Sequence, residues 1–173
     1  MYQRILVPVD GSLTSDRGLD EAIRIAKSTQ GRLRLVHVID ELSFALAMDA
    51  YSGYAGDWLG VLRENGAKIL ATAKATAQAA GVEAETVLHD NFSSKVHERV
   101  AAEAAQWPAD LIVLGTHGRR GVGRLVMGSS AEYIVRYAAV PVLLVREPNA
   151  TTQSEPAPAD IRVSLPSAAL NLE

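Results

Sequence analysis

The sequence predicts an α/β fold, a single-domain five-stranded parallel sheet with helices on both faces. Short apolar runs alternate with longer segments of helical apolar spacing, in the order β-α-β-α-β-α-β-α-β. Strands separated by helices in this way form parallel sheets. The 173 residues, of which 48% are hydrophobic, can bury a sizeable core. Right-handed crossovers leave few topologies, and we take the Rossmann-like order 3-2-1-4-5, with the first and fourth strands adjacent.

The first half of the chain contains three predicted strands and two predicted helices. "RILVPV" (4–9) is a buried strand that ends in the turn Asp10-Gly11. A first helix is predicted next, because apolar residues recur at helical spacing from Leu19 onward. Thr14, Ser15 and Asp16 are its candidate N-terminal caps, and Gly31 is its stop. "LRLVHVI" (33–39) is the second strand, and a long helix from Leu59 ends at Gly81. "VEAETVL" (82–88) alternates as an edge strand with one wetter face does.

The second half continues the alternation. Ser93 or Ser94 can open the third helix, which must stop at Trp107-Pro108. "LIVLG" (111–115) is the most apolar strand, and "VPVLLV" (140–145) is the last, with the short helix "SAEYIVRYA" between them. These elements predict a domain over residues 1–146.

Two segments stand outside the alternation. Residues 40–57 hold most of the loop aromatics and form either a flap over the ligand crevice or a short extra helix. After Arg146 the chain becomes a linker rich in proline and alanine, followed by "IRVSLPSAALNLE". Residues 147–173 therefore form a tail of unassigned role, which either is disordered, adds a strand or packs against a partner.

Composition excludes several classes of function. A net charge of −3 and a pI near 5.8 argue against binding to nucleic acid or to an anionic membrane. The absence of cysteine excludes disulfides, thiolate catalysis and sulfur-ligated metals. No apolar run approaches the roughly 18 residues of a membrane span, and the N-terminal run is too short for a signal peptide. We therefore expect a cytoplasmic protein.

A glycine-rich loop follows the fourth strand. Five of the 13 glycines lie between Gly115 and Gly128, directly ahead of Ser129 and Ser130. Ligands of such sheets bind at the carboxyl ends of the strands where the winding reverses, here between Asp10-Gly11 and this loop. Backbone N–H groups of the loop and of the following helix can bind an anion, and Ser129 and Ser130 can both cap that helix and offer hydroxyls to a phosphate. Positive charge comes from Arg119, Arg120 and Arg124.

The glycine spacing differs from the common nucleotide motifs. The chain contains neither GxxxxGK[ST] nor GxGxxG, and its pattern is G-x2-G-x9-G-S from Gly115 through Gly118 to Gly128 and Ser129. With "ILVPVDGS", "LIVLGTHGRRG" and "GSSAEYIVRYAAVPVLLVR", this pattern resembles the ATP-binding subgroup of the universal stress protein family over about residues 1–146.

The resemblance implies an ATP site, with AMP or ADP as alternative ligands. Asp10 meets the ribose in such a site, and Pro8 and Val9 approach the adenine, whose pocket Val38 helps to form. Gly115 and Gly118 allow the backbone to approach ribose and phosphates. The phosphates bind at Gly128, Ser129 and Ser130, although Ser130 stands where valine is frequent. Magnesium or manganese would be carried by the phosphates, and no residue is assigned as catalytic or as a metal ligand.

The resemblance also implies a homodimer that pairs through the last strand and acts as a nucleotide-dependent regulator or sensor in the stress response. No general base is evident near the predicted phosphates. An enzyme on the same fold, with slow ATP hydrolysis or phosphoryl or nucleotidyl transfer, remains the alternative. A weaker alternative is an interaction module without nucleotide. We expect neither a nucleic-acid nor a membrane partner, and the protein partner stays open.

Overall fold

A computed structural model describes residues 1–40, 57–90, 94–116 and 128–146. The strands are β1 (Arg4–Pro8), β2 (Arg32–Val38), β3 (Ala84–His89), β4 (Leu111–Gly115) and β5 (Val142–Val145). The helices in these ranges are α1 (Leu13–Thr29), α2 (Trp58–Ala79), α3 (Val96–Gln106) and α4 (Ser129–Tyr137). The predicted alternation of strand and helix is confirmed.

The five strands form one parallel sheet in the order β3-β2-β1-β4-β5. This is the predicted Rossmann-like order, in which the chain winds one way from β1 and the other way from β4. Ile5, Leu6 and Val7 of β1 are fully buried, as a central strand covered on both faces requires. The carboxyl ends of β1 and β4 are therefore neighbours.

Alternating strand residues divide the interior into two cores. Ile5 and Val7 pack with apolar residues of α1 and α2, whereas Leu6 packs with those of α3 and α4. Successive side chains of a strand point to opposite faces, so each core lies on its own face of the sheet. The prediction of helices on both faces is confirmed.

The two edge strands are less covered than the central ones. Strand β3 lies at the edge of the sheet, as predicted. Its exposure is not confined to one face, because the consecutive residues Glu85 and Thr86 are both exposed while Ala84 is buried. All four residues of β5 are partly exposed. Strand β5 ends the sheet on the other side, next to β4 alone among the described residues.

The predicted ends of α1 are wrong by a few residues. Its N-cap is Ser12, whose hydroxyl accepts the N–H of Ser15 at 3.3 Å. Gly11 has φ +76° and turns the chain sharply after β1, so the helix starts earlier than the candidate caps suggested. At the other end Gln30, and not Gly31, adopts the left-handed conformation, with φ 56°.

The starts of α3 and α4 also differ from the prediction. Helix α3 begins after Lys95, whose N–H donates to the Glu98 carboxylate at 3.0 Å, so Ser94 does not cap it; Ser93 lies outside the described residues. Helix α4 has Gly128 as its N-cap, with no side-chain cap bond. Ser129 and Ser130 therefore lie inside its first turn and do not cap it.

Several predictions concern residues that are not described. The flap or extra helix falls on 41–56 for the most part, the middle of the glycine loop on 117–127, and the tail on 147–173. The boundary at residue 146 stays a prediction. Within the described ranges, no helix is both long and apolar enough to cross a membrane.

Candidate functional site

The turn after β1 holds Asp10 in a defined position. One carboxylate oxygen, Oδ1, accepts the N–H of Ser12 at 2.9 Å and its hydroxyl at 2.6 Å. The N–H of Asp10 donates to Oγ of Ser15 at 3.1 Å, which ties the turn to the first turn of α1. Asp10 is half-buried. Its carboxylate is therefore pre-positioned at the carboxyl edge of the sheet.

His37 of β2 contacts the residue that precedes this turn. It is buried on β2, and its Nδ1 lies 2.7 Å from the carbonyl oxygen of Val9. Because a carbonyl only accepts, Nδ1 carries the proton. Gly66 of α2 leaves room for the ring, since a Cβ there would come within 2.8 Å of its Cδ2. The buried ring of His37 therefore has a structural role at this turn.

The start of α4 lies directly against the end of β4. Thr116 donates its N–H to Val145 at 3.0 Å and accepts the N–H of Gly128 at 3.0 Å. The first helical bond joins the N–H of Glu132 to the carbonyl of Gly128. The N–H groups of residues 129–131 precede it and have no partner within the helix. Together with the positive end of the helix dipole, such N–H groups are suited to binding an anion.

Gly115 has a packing reason to be glycine. A Cβ at this position would lie 2.5 Å from the carbonyl oxygen of Thr14 and 3.0 Å from the nitrogen of Ser15. Gly18 makes the reciprocal approach, because its Cβ would come within 3.1 Å of the Gly115 nitrogen. The end of β4 and the first turns of α1 therefore meet main chain to main chain. The predicted role of Gly115 towards ribose and phosphates stays a prediction.

Eight of the nine predicted site residues lie among the described residues, and all eight are at the carboxyl edge of the sheet. They end or follow β1 (Pro8, Val9, Asp10), end β2 (Val38) or β4 (Gly115), and start α4 (Gly128, Ser129, Ser130). Gly118 lies outside the described residues, as do Arg119, Arg120 and Arg124.

The predicted base-binding residues do not all face the same way. Val38 packs against the α3–α4 core, and strand alternation places Pro8 on that face with Leu6. The side chain of Val9 is buried in the α1–α2 core on the opposite face. Only the main chain of Val9 can therefore contact a ligand that lies on Pro8 and Val38.

A pocket of about 410 Å³ lies between α1 and α2, away from the face of Pro8 and Val38. Val9 and Leu19 contribute apolar walls, and Asp16, Asp20 and Lys68 line its polar side. Burial raises the pKa of Asp16, and the negative charges of Asp20 and Asp10 raise it further. Lys68 is paired with Glu64 at 2.7 Å. Because carboxylates repel anions, Asp16 and Asp20 make this pocket unfavourable for an anionic ligand.

A cluster of charged side chains around the buried Glu103 joins β2, β3 and α3. Glu103 is only 5% exposed, and its two carboxylate oxygens lie 2.6 Å from Nη1 of Arg34 and 3.0 Å from Nε2 of His89. Arg34 also pairs with Glu85 at 3.0 Å and stacks 4.8 Å from the ring centre of Trp107.

Although burial of Arg34 works against its charge, hydrogen bonds and charges from Glu85 and Glu103 raise its pKa overall. Sequence reasoning missed this cluster. Its one sequence signal is the pair of charged residues, Arg34 and Glu103, at otherwise inward-facing positions of a strand and a helix.

Comparisons with known proteins agree with this fold. A sequence model described as the universal stress protein family matches residues 1–146. A universal stress protein of Methanocaldococcus jannaschii is 32% identical over 151 residues, which cover 86% of this chain and 84% of the relative.

Solved structures of the same family are also similar. A universal stress protein family member from Burkholderia pseudomallei is 28% identical, with a TM-score of 0.62 over 83% of this chain and 96% of that one. A universal stress protein solved in complex with cAMP is 26% identical, with a TM-score of 0.57, over 83% of this chain and 97% of that one.

Proposed function

Because this chain belongs to the universal stress protein family, we propose that it binds ATP and acts as a dimeric, nucleotide-dependent regulator or sensor in the stress response. AMP and ADP are the alternative nucleotides, and magnesium or manganese would enter with the phosphates. The cytoplasmic location expected from the composition is part of this proposal.

The observation that carries the proposal is the junction of two binding elements at one crevice. Asp10 follows β1 and is held by Ser12, and the N–H groups at the start of α4 that are not bonded within the helix lie beside the neighbouring strand β4. A carboxylate is a suitable acceptor for ribose hydroxyls, and a helix N-terminus suits phosphates. The two parts of a nucleotide therefore have complementary partners on adjacent strands.

The strand order supports one orientation of the ligand. Phosphates at α4 lie beside β4, the ribose at Asp10 follows β1, and the base then extends to Val38 at the end of β2. Charge-assisted hydrogen bonds contribute about 1.5–3 kcal/mol each, so three or four suffice for micromolar affinity after the cost of association. The related protein solved with cAMP supports an adenine nucleotide as the ligand class.

The dimer in this proposal forms through β5. In the part of the chain that the structure describes, that strand is at the edge of the sheet and only partly buried, and such edges are usually paired or covered. Binding of a nucleotide would change the surface around the glycine loop and so alter the contact with a partner.

Calorimetric titration of the purified protein with ATP, ADP and AMP tests the proposal. Small molecules released on denaturation should also be analysed, because a bound nucleotide can survive purification. We expect micromolar binding of at least ATP. The absence of both bound nucleotide and heat at millimolar ATP would refute the proposal.

A second assay separates a binding protein from a slow ATPase or transferase. It measures product formation from ATP with magnesium or manganese, for wild type and for the variant Gly128→Val.

Gly128→Val tests the position of the phosphates. Gly128 has φ −58° and ψ 141°, a conformation that valine adopts readily, so the fold should persist. The branched side chain at the N-cap would crowd the N–H groups of the first turn. We expect ATP affinity to fall at least about a hundredfold, as expected when two charge-assisted bonds are lost. Unchanged affinity would remove α4 from the site.

A further inference from the structure

The charged cluster around Glu103 reaches the end of β3, beside the proposed base position. Val38 and His89 are register partners across β2 and β3, and the carbonyl of His89 accepts the N–H of Ile39 at 2.8 Å. Both side chains lie on the α3–α4 face, since Val38 packs in that core and His89 contacts Glu103 of α3. Neighbouring strands are about 4.8 Å apart, so His89 is within reach of a base that rests on Val38.

The orientation of the His89 ring is fixed by Glu103. One carboxylate oxygen of Glu103 accepts a hydrogen bond from Nη1 of Arg34, and the other faces His89 as an acceptor. Nε2 of His89, 3.0 Å away, must then carry the proton and donate it to Glu103. In the neutral ring this leaves Nδ1 as an acceptor. No described residue is recorded as a partner of that atom, and His89 is half-buried.

We infer that His89 forms the β3 wall of the base pocket and selects a purine with a 6-amino group over one with a 6-oxo group. This inference rests on the proposed nucleotide site. The Nδ1 acceptor matches the amino hydrogens of adenine, whereas the 6-oxo group of hypoxanthine or guanine is itself an acceptor and is repelled. Glu103 is the positioning residue, because it determines which ring nitrogen carries the proton.

The test compares ATP with ITP, whose bases differ in the 6-amino and 6-oxo groups. Dissociation constants are measured by calorimetry on the full chain, for wild type and variants. We expect wild type to bind ATP about tenfold more tightly than ITP, the effect of about one hydrogen bond. His89→Phe keeps a ring of similar size without Nδ1. It should weaken the binding of ATP and so bring the ratio of the ITP and ATP dissociation constants close to one.

Two further variants separate positioning from stability. His89→Gln can donate to Glu103 and still present an acceptor, so it should retain part of the preference for ATP. Glu103→Gln no longer dictates the protonated nitrogen and should lower the ratio. A purely structural role of Glu103 would weaken both nucleotides equally and leave the ratio unchanged. The matched control is Glu85→Gln, which removes the other carboxylate on Arg34 without touching His89 and should leave the ratio as in wild type.

The outcomes distinguish this inference from the proposed function. Binding of ATP and ITP with equal affinity by wild type, or an unchanged ratio in His89→Phe, overturns the role of His89 while ATP binding stands. A ratio that survives in Glu103→Gln overturns the positioning role. Failure of wild type to bind either nucleotide overturns the proposed function and this inference together.

Discussion

Gly115 shows how one residue can serve packing and, in our proposal, ligand binding. Its missing Cβ allows the end of β4 to approach within contact of Thr14 and Ser15 of α1. The two roles can be measured separately, because stability without nucleotide reports only the packing.

Gly115→Ala should destabilise the protein by about 1–3 kcal/mol, the usual cost of forcing an atom into a filled space. The obstacle is main chain, the Thr14 carbonyl at 2.5 Å, so a side-chain rotation cannot relieve it. Urea denaturation without nucleotide measures the loss. Gly128→Ala is the control, because its backbone conformation accepts alanine, and its loss should be smaller. Equal stability of Gly115→Ala and wild type would contradict the close approach.

Some site residues were predictable from the sequence and others were not. The positions of Asp10 and Gly128 at the carboxyl edge follow from strand ends alone. The helix cap at Ser12 did not follow, because Thr14, Ser15 and Asp16 are equally capable caps and the choice depends on the turn at Gly11. The bond between Arg34 and Glu103 joins residues 69 positions apart. Such a pair depends on which elements pack together, which local patterns do not contain.

At the scale of elements, helix α1 carries an unfavourable pair of like charges. Asp16 and Asp20 are four residues apart and line the same pocket. The pKa of Asp16 is raised by burial first and then by the charges of Asp20 and Asp10. A carboxyl whose pKa is raised in the folded state costs stability when it ionises. This cost is absent well below the ordinary value of 3.8 and is complete above the raised pKa.

Asp20→Asn should therefore lower the pKa of Asp16 towards its ordinary value. An NMR titration of the Asp16 carboxyl group measures this shift. The variant should also gain stability at neutral pH and none at strongly acidic pH, within the roughly 0.5 kcal/mol typical of surface changes. Glu21→Gln is the control, because Glu21 pairs with Arg24 and does not contribute to the shift of Asp16. A pKa of Asp16 unaffected by Asp20→Asn would contradict the coupling.

The elements themselves were predicted well where apolar runs were long. Strand β4 has the predicted bounds, and the ends of β2 differ by one residue. The start of α3 was wrong because a serine near a helix start is a general cap signal, whereas the actual start depends on the bond from Lys95 to Glu98. Helix ends depend on such single contacts, and helix existence depends on the whole periodic segment.

At the scale of the whole molecule, the strand order was predictable because right-handed crossovers leave few alternatives. Among the described residues, the same order leaves β5 at an edge of the sheet. The carbonyls of Pro141 and Val145 accept bonds from β4, at Ile112 and Thr116. The main-chain N–H and C=O groups of successive strand residues point alternately to one side and the other. The N–H groups of Val142 and Leu144 therefore point away from β4. These outward groups are the ones available to a second copy.

Val142→Pro should weaken the proposed dimer, because proline removes one outward N–H and leaves the bonds to β4 intact. Proline is tolerated as the first residue of a strand. In a symmetric dimer the hydrogen bond is lost twice, so we expect the dissociation constant of the dimer to rise about tenfold or more. Sedimentation equilibrium measures it, with Val142→Ala as the control for lost packing. Equal dimerisation of the two variants would move the interface away from this edge.

The main-chain contact between Gly115 and α1 has a consequence for how the protein can diverge. The spacing between the Asp10 turn and the end of β4 depends on backbone atoms and on two glycines, Gly18 and Gly115. At this contact main chain meets main chain, so the two glycines are the positions at which a substitution would change the spacing directly. Substitution of either glycine would force the backbones of β4 and α1 apart, because the atoms in the way are main-chain atoms.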